Sequence, residues 1–133
     1  MNQKELQNRQ LKIIDGQLIG CILYIISIIV SMIIIINQRK NALNKEQFLT
    51  GEESQTIALA NKIFILFLIL LFFYLNYESY SLAKDTNQDT SALELQIIGS
   101  ILSTAVGLIG LYVVATNFQN TNLQTSEIEN PFA

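Results

Sequence analysis

Leu18–Ile36 reads LIGCILYIISIIVSMIIII: a stretch without a charge, in which Ser27 and Ser31 join Cys21 and Tyr24 as the only polar side chains. At about 1.5 Å per residue, a helix over this stretch reaches ~28 Å, close to the ~30 Å hydrocarbon core of a bilayer. On propensity alone, Ile33–Ile36 favours a strand. In lipid a lone strand leaves its backbone amides unpaired at several kcal/mol each, so helix is the expected state.

Two further stretches belong with it. Ile97–Ala115 (IIGSILSTAVGLIGLYVVA) is equally long and also carries no charge. Between them, the uninterrupted apolar run Ile63–Leu75 is shorter, and brief for a span on its own. Ile57–Ala60 extends it backward, Lys62 is placed to snorkel to the headgroups, and Tyr74, Tyr77 and Tyr80 mark the opposite interface. The expected fold is an all-α membrane protein with three transmembrane helices, over about residues 18–36, 61–78 and 97–115. Thr50-Gly51-Glu52-Glu53 and Ser91-Ala92-Leu93-Glu94 both fit the capping box. They start helix two near Gly51 and helix three near Ala92. Nothing obvious breaks helix one between Asn37 and Phe48, so the hairpin between helices one and two should extend out of the membrane. Leu43, Phe48, Leu49, Ile57 and Leu59 are available to zip it. Residues 1–116 form the transmembrane domain. Asn117–Ala133 is polar and acidic without periodicity and is read as a disordered tail.

Composition agrees. Only 14% of residues are charged, against ~25% in a soluble domain. The net charge of -3, with no basic tract, argues against nucleic acid as a partner. With no His and one Cys there are no usual metal or haem ligands, no intrachain disulfide is possible, and no cofactor is expected. Lys4, Arg9 and Lys12 ahead of an apolar run imitate a signal peptide, but the run is too long and lacks a small-residue cleavage site. Leu18-Ile19-Gly20-Cys21 imitates a lipoprotein box, but its apolar run follows the Cys instead of preceding it.

Small residues mark where helices approach closely in lipid. Helix three carries Gly99, Ser103, Gly107 and Gly110 on one face. Helix one carries Gly16, Gly20, Ser27 and Ser31, also on one face. Helix two has no Gly, Ser, Ala or Thr between Ile63 and Tyr77. Helices one and three should therefore pack together, with helix two held by bulky side chains and largely lipid-facing. The same seams can serve self-association.

No ionisable residue falls within the three apolar runs, and no catalytic constellation is visible, so an enzyme is not expected. The leading expectation is a non-enzymatic small membrane protein: an accessory subunit of a membrane complex or a homo-oligomer, with the lipid bilayer and other membrane subunits as partners. The alternative is a pore or holin-like channel, for which Ser100, Ser103 and Thr104 offer a hydroxyl face; against it, the tail carries Glu127 and Glu129 and no Lys or Arg. A carrier for a neutral or lipidic solute is a third class. The Ile- and Asn-rich, Trp-free composition points to an AT-rich bacterial genome and a plasma membrane. Orientation rests on a tie. Lys4, Arg9, Lys12 and Lys84 lie on one side, and Arg39, Lys40, Lys45 and Lys62 on the other. Proximity to the spans favours the N-terminus outside and the C-terminus inside; the tie itself permits insertion both ways.

Overall fold

The computed structural model describes residues 1–119, and all the regular structure among them is helical. Helix α1 spans Gln3–Ala42, α2 Gly51–Asp85 and α3 Ser91–Gln119. All three are long and apolar enough to cross a membrane, and the chain is a multi-pass membrane protein. At ~1.5 Å per residue α1 is about 60 Å long, twice the hydrocarbon thickness, so it overruns the bilayer at both ends. Helix α3 takes in the first residues of the expected tail; 120–133 lie outside the described residues.

Each helix start is chemically explicit. Asn2 caps α1 by accepting the Glu5 N–H at 2.7 Å. The Thr50 box forms in full: Glu53 N–H donates to Thr50 Oγ1 at 3.1 Å, and Thr50 N–H to Glu53 Oε2 at 3.0 Å. The expected Ser91 box does not form. Thr90 stands one residue earlier, donating its hydroxyl to Glu94 Oε1 at 2.9 Å, while Asp89 accepts from the Ser91 backbone N–H and hydroxyl. A carboxylate two residues ahead outcompetes Glu94 for Ser91, and α3 begins at Ser91.

The ends of α1 and α2 share one device that the sequence reading missed. Asn44 and Asn87 are the only non-glycine residues with positive φ among those described, at 53° and 55°. In each case the left-handed Asn and the residue after it donate back to the last turn: Asn44 to Asn41 O and Lys45 to Lys40 O, then Asn87 to Lys84 O and Gln88 to Ala83 O. This is the Schellman ending, with Asn in the place glycine usually takes. It stops α1 at Ala42, short of the expected extension through Phe48.

The packing order corrects the expected one. Helix α2 lies in the middle and packs against both α1 and α3, whereas α1 and α3 share no contact among the described residues. The loops explain this. Each connection is short, so each pair of consecutive helices forms an antiparallel hairpin. Helix α2 therefore supplies the bulk that fills the α1 notches at Gly16 and Gly20 and the α3 notch at Gly107.

Candidate functional site

The α1–α2 interface is built around buried amides. Asn61 of α2 is 5% exposed and Ser27 and Ser31 of α1 are 1% exposed each. Ser27 Oγ donates to Asn61 Oδ1 at 2.9 Å, and Asn61 Nδ2 donates to Ser31 Oγ at 2.9 Å and to Ser27 O at 3.3 Å. One turn of α1 separates the two serines, so a single amide reaches both. Towards the N-terminal end the glycines take over. A Cβ on Gly20 would lie 2.7 Å from the Phe72 ring, and one on Gly16 2.8 Å from Leu75 Cδ2. At the hairpin neck Asn37 grips the Leu49 backbone, donating to its carbonyl at 3.3 Å and accepting its N–H at 3.1 Å. Of the residues expected to zip the hairpin, Leu49, Ile57 and Leu59 are half-buried. Leu43 and Phe48 are exposed, and the Phe48 ring instead lies under Lys40, with Nζ 4.9 Å from its centroid. At the far end Arg9 Nη1 meets Asp85 Oδ2 at 2.9 Å.

Lys62 departs from the expected interfacial anchor with its charge in water. Only 3% of the residue is exposed. Burial of stem and head together is not snorkelling.

The α2–α3 interface is sparser. Asn76 Nδ2 donates to Ser100 Oγ at 2.7 Å, and that hydroxyl donates on to Gln96 O at 3.0 Å. Gly107 is buried, and a Cβ there would meet Ile69 Cδ1 at 2.8 Å. The other members of the α3 face behave differently. Gly99 and Ser103 are exposed and Gly110 is half-buried; a Cβ on Gly99 would find nothing within 4 Å.

Because α1 and α3 stand apart on either side of α2, a lateral groove of about 570 Å³ opens between them. Its floor is Ile65, Leu68, Ile69, Phe72 and Asn76 of α2. Gln96, Gly99, Ser100, Leu102, Ser103 and Val106 form the α3 wall, and Tyr24 stands on the α1 side. Two groups of this groove escaped the sequence reading. Asn76 and Gln96 look like span-edge residues in the sequence, although an amide at the rim of an apolar run is costly unless paired, and that cost was the available signal. The groove offers amides, hydroxyls and one phenol, so its chemistry is hydrogen bonding and apolar contact. Among the described residues no cluster of His, Cys, Asp and Glu is placed to hold a metal ion. Family models, curated proteins and solved structures yield no match to this chain.

Proposed function

We propose that the protein is a non-catalytic assembly subunit of a membrane, joined through the outer face of α3 to a second copy or to another membrane protein. One observation carries this reading: α3 is held on one side only. It packs on α2 and on no other described element. Facing away are Leu95, Ile98, Leu102, Ala105, Ile109 and Tyr112, all exposed. They alternate in steps of three and four, the spacing of a helix–helix seam. Leu95, Leu102 and Ile109 are 69%, 63% and 64% exposed. Lipid tails are as apolar as leucine, so such a face gains nothing from burial alone; its value lies in close packing, which Ala105 at its centre permits. The expected setting is a bacterial plasma membrane, with the 43–50 loop and the C-terminus on the cytoplasmic side.

Subunit counting in native lipid discs tests the reading. Stable oligomers or a co-purifying membrane partner are expected, and Ala105→Phe should disperse them. Monomers alone, with nothing attached, defeat it. For orientation, Gln88→Cys should react with an impermeant maleimide on intact cells and Lys45→Cys should not, each in a Cys21→Ser background. Equal reaction at both sites means insertion both ways.

A further inference from the structure

The groove between α1 and α3 has one end near the middle of the span and the other near its surface. Along α2 it runs from Ile65 to Asn76, about 16 Å of helix at ~1.5 Å per residue. One leaflet of a ~30 Å hydrocarbon core is ~15 Å deep. The chemistry changes over that depth. Ile65, Leu68, Ile69 and Val106 line the deep end, while Asn76, Gln96 and Ser100 line the end nearest the 86–90 loop.

Three polar side chains of the groove are left without hydrogen bonds to any described residue: Tyr24, Gln96 and Ser103. Their neighbours are satisfied. Ser100 and Thr104 turn back on their own helix, to Gln96 O and Ser100 O, as hydroxyls in membrane helices do. Ser103 does not. Asn76 uses one N–H on Ser100, which leaves its amide a second donor. A polar group without a partner at membrane depth is costly, so the groove favours an occupant that brings acceptors to its outer end. None of its lining residues is charged, so it does not select a formal charge.

At about 570 Å³ the groove falls within the ~300–1,000 Å³ of small-molecule sites.

We infer that this groove binds one acyl chain of a glycerolipid from the leaflet on the N-terminal side. Leu68, Ile69 and Val106 hold the chain, and the Asn76 and Gln96 amides donate to its ester carbonyls. The groove opens sideways because α1 and α3 do not meet, so a lipid enters by lateral diffusion. The site meets the outer face of α3 only at Leu102, and the inference does not rest on the protein assembling.

The test uses the full chain in vesicles of palmitoyl-oleoyl phosphatidylcholine doped with a phosphatidylcholine bearing an acyl-chain diazirine. After photolysis, peptide mass spectrometry should find adducts at Ile69 and Val106 several-fold above those at Ile25, Ile29 and Ile109. Those three comparison residues are more exposed than Val106, at 57%, 51% and 64% against 47%. The double variant Gly99→Leu/Ser103→Leu fills the groove from its open wall and should bring groove adducts down to the outer-face level. Gln96→Leu, on an exposed residue, keeps the fold safe and should lower the lipid retained in native mass spectra. Exchanging phosphatidylcholine for phosphatidylglycerol should leave the enrichment unchanged. Adducts that simply follow exposure overturn the inference. Disulfide capture of a second copy across the groove by Ser103→Cys also overturns it, because a helix would then occupy the space.

Discussion

The two interfaces of α2 are specified differently. Against α1 hydrogen bonds run the length of the hairpin: the buried Asn61 knot with Ser27 and Ser31, the Asn37 clamp on the Leu49 backbone and the exposed Arg9–Asp85 pair, with glycine notches between. Against α3 the polar link is Asn76 to Ser100 and the glycine notch is Gly107, among the described residues. In lipid, burying apolar surface against apolar surface gains little, so directed hydrogen bonds and close backbone approach set the register. The α1–α2 hairpin is thus locked, while α3 is attached by shape and a single bond. The groove and the uncovered α3 face both lie on the less constrained side. Binding there leaves the hairpin intact.

Removing the knot should break this contrast most. Helix–helix hydrogen bonds in lipid average ~0.6 kcal/mol, and Asn61→Leu deletes three, so a loss of about 2 kcal/mol in unfolding free energy is expected. Steric trapping in bicelles measures it, and α1 should also slip against α2. The freed Ser27 hydroxyl can turn to its own preceding carbonyl, which keeps the loss from growing larger. A loss no greater than that of Asn76→Leu would mean the two interfaces are equivalent. Asn76→Leu removes one bond and should cost about 0.6 kcal/mol. Its signature is local: faster amide exchange in α3 with α1 unchanged. Exchange rising equally in α1 would show that α3 also braces the hairpin. Smaller still is Arg9→Gln. The pair it breaks is 29% and 49% exposed, so a cost below ~0.5 kcal/mol that disappears at high salt is expected. Its readout is fraying of α1 ahead of the membrane.

Much of this architecture was legible because a bilayer makes crude demands. Long uncharged runs such as Leu18–Ile36 and Ile97–Ala115 have only one stable conformation in lipid, and the Thr50/Glu53 box states its own start. The packing order was not legible in the same way. Small residues on α1 and α3 identify faces that want close neighbours, not which neighbour they receive. The missing term was reciprocal bulk: Phe72 and Leu75 of α2 fill the α1 notches, and Ile69 fills the one at Gly107. The amides Asn61 and Asn76 lie at span edges and read as margin. Their need for partners, set beside Ser27 and Ser31 one turn apart, was the usable clue. Asn44 and Asn87 went unseen as stops because asparagine adopts the left-handed conformation less readily than glycine, and only the hydrogen bonds of the last turn reveal it.

The finest contrast lies at the two helix starts that follow loops. Helix α2 begins on a reciprocal box, and α3 begins on Asp89. The Ser91 backbone N–H and hydroxyl both donate to the Asp89 carboxylate, at 3.0 and 2.7 Å. These bonds, the backbone one foremost, hold the carboxyl below its ordinary pKa. A carboxylate lowered in the folded state supports that state at pH above its unfolded pKa, and the support drains away as pH falls through the lowered value. The first turn of α3 should therefore loosen on acidification, in the range below ~4 where aspartates take up protons. Asp89 is fully exposed, so the effect is confined to that turn. Amide exchange of 92–94, referenced to Asp89→Asn at each pH, gives the measurement: the wild-type advantage at pH 6 should shrink steadily as pH falls below ~4, whereas the Thr50 start, whose N3 amide is held by a hydroxyl, should keep its protection on that amide. If the two chains exchange alike at every pH, Asp89 is a spectator, and Thr90 with Glu94 alone starts the helix that bears the groove wall.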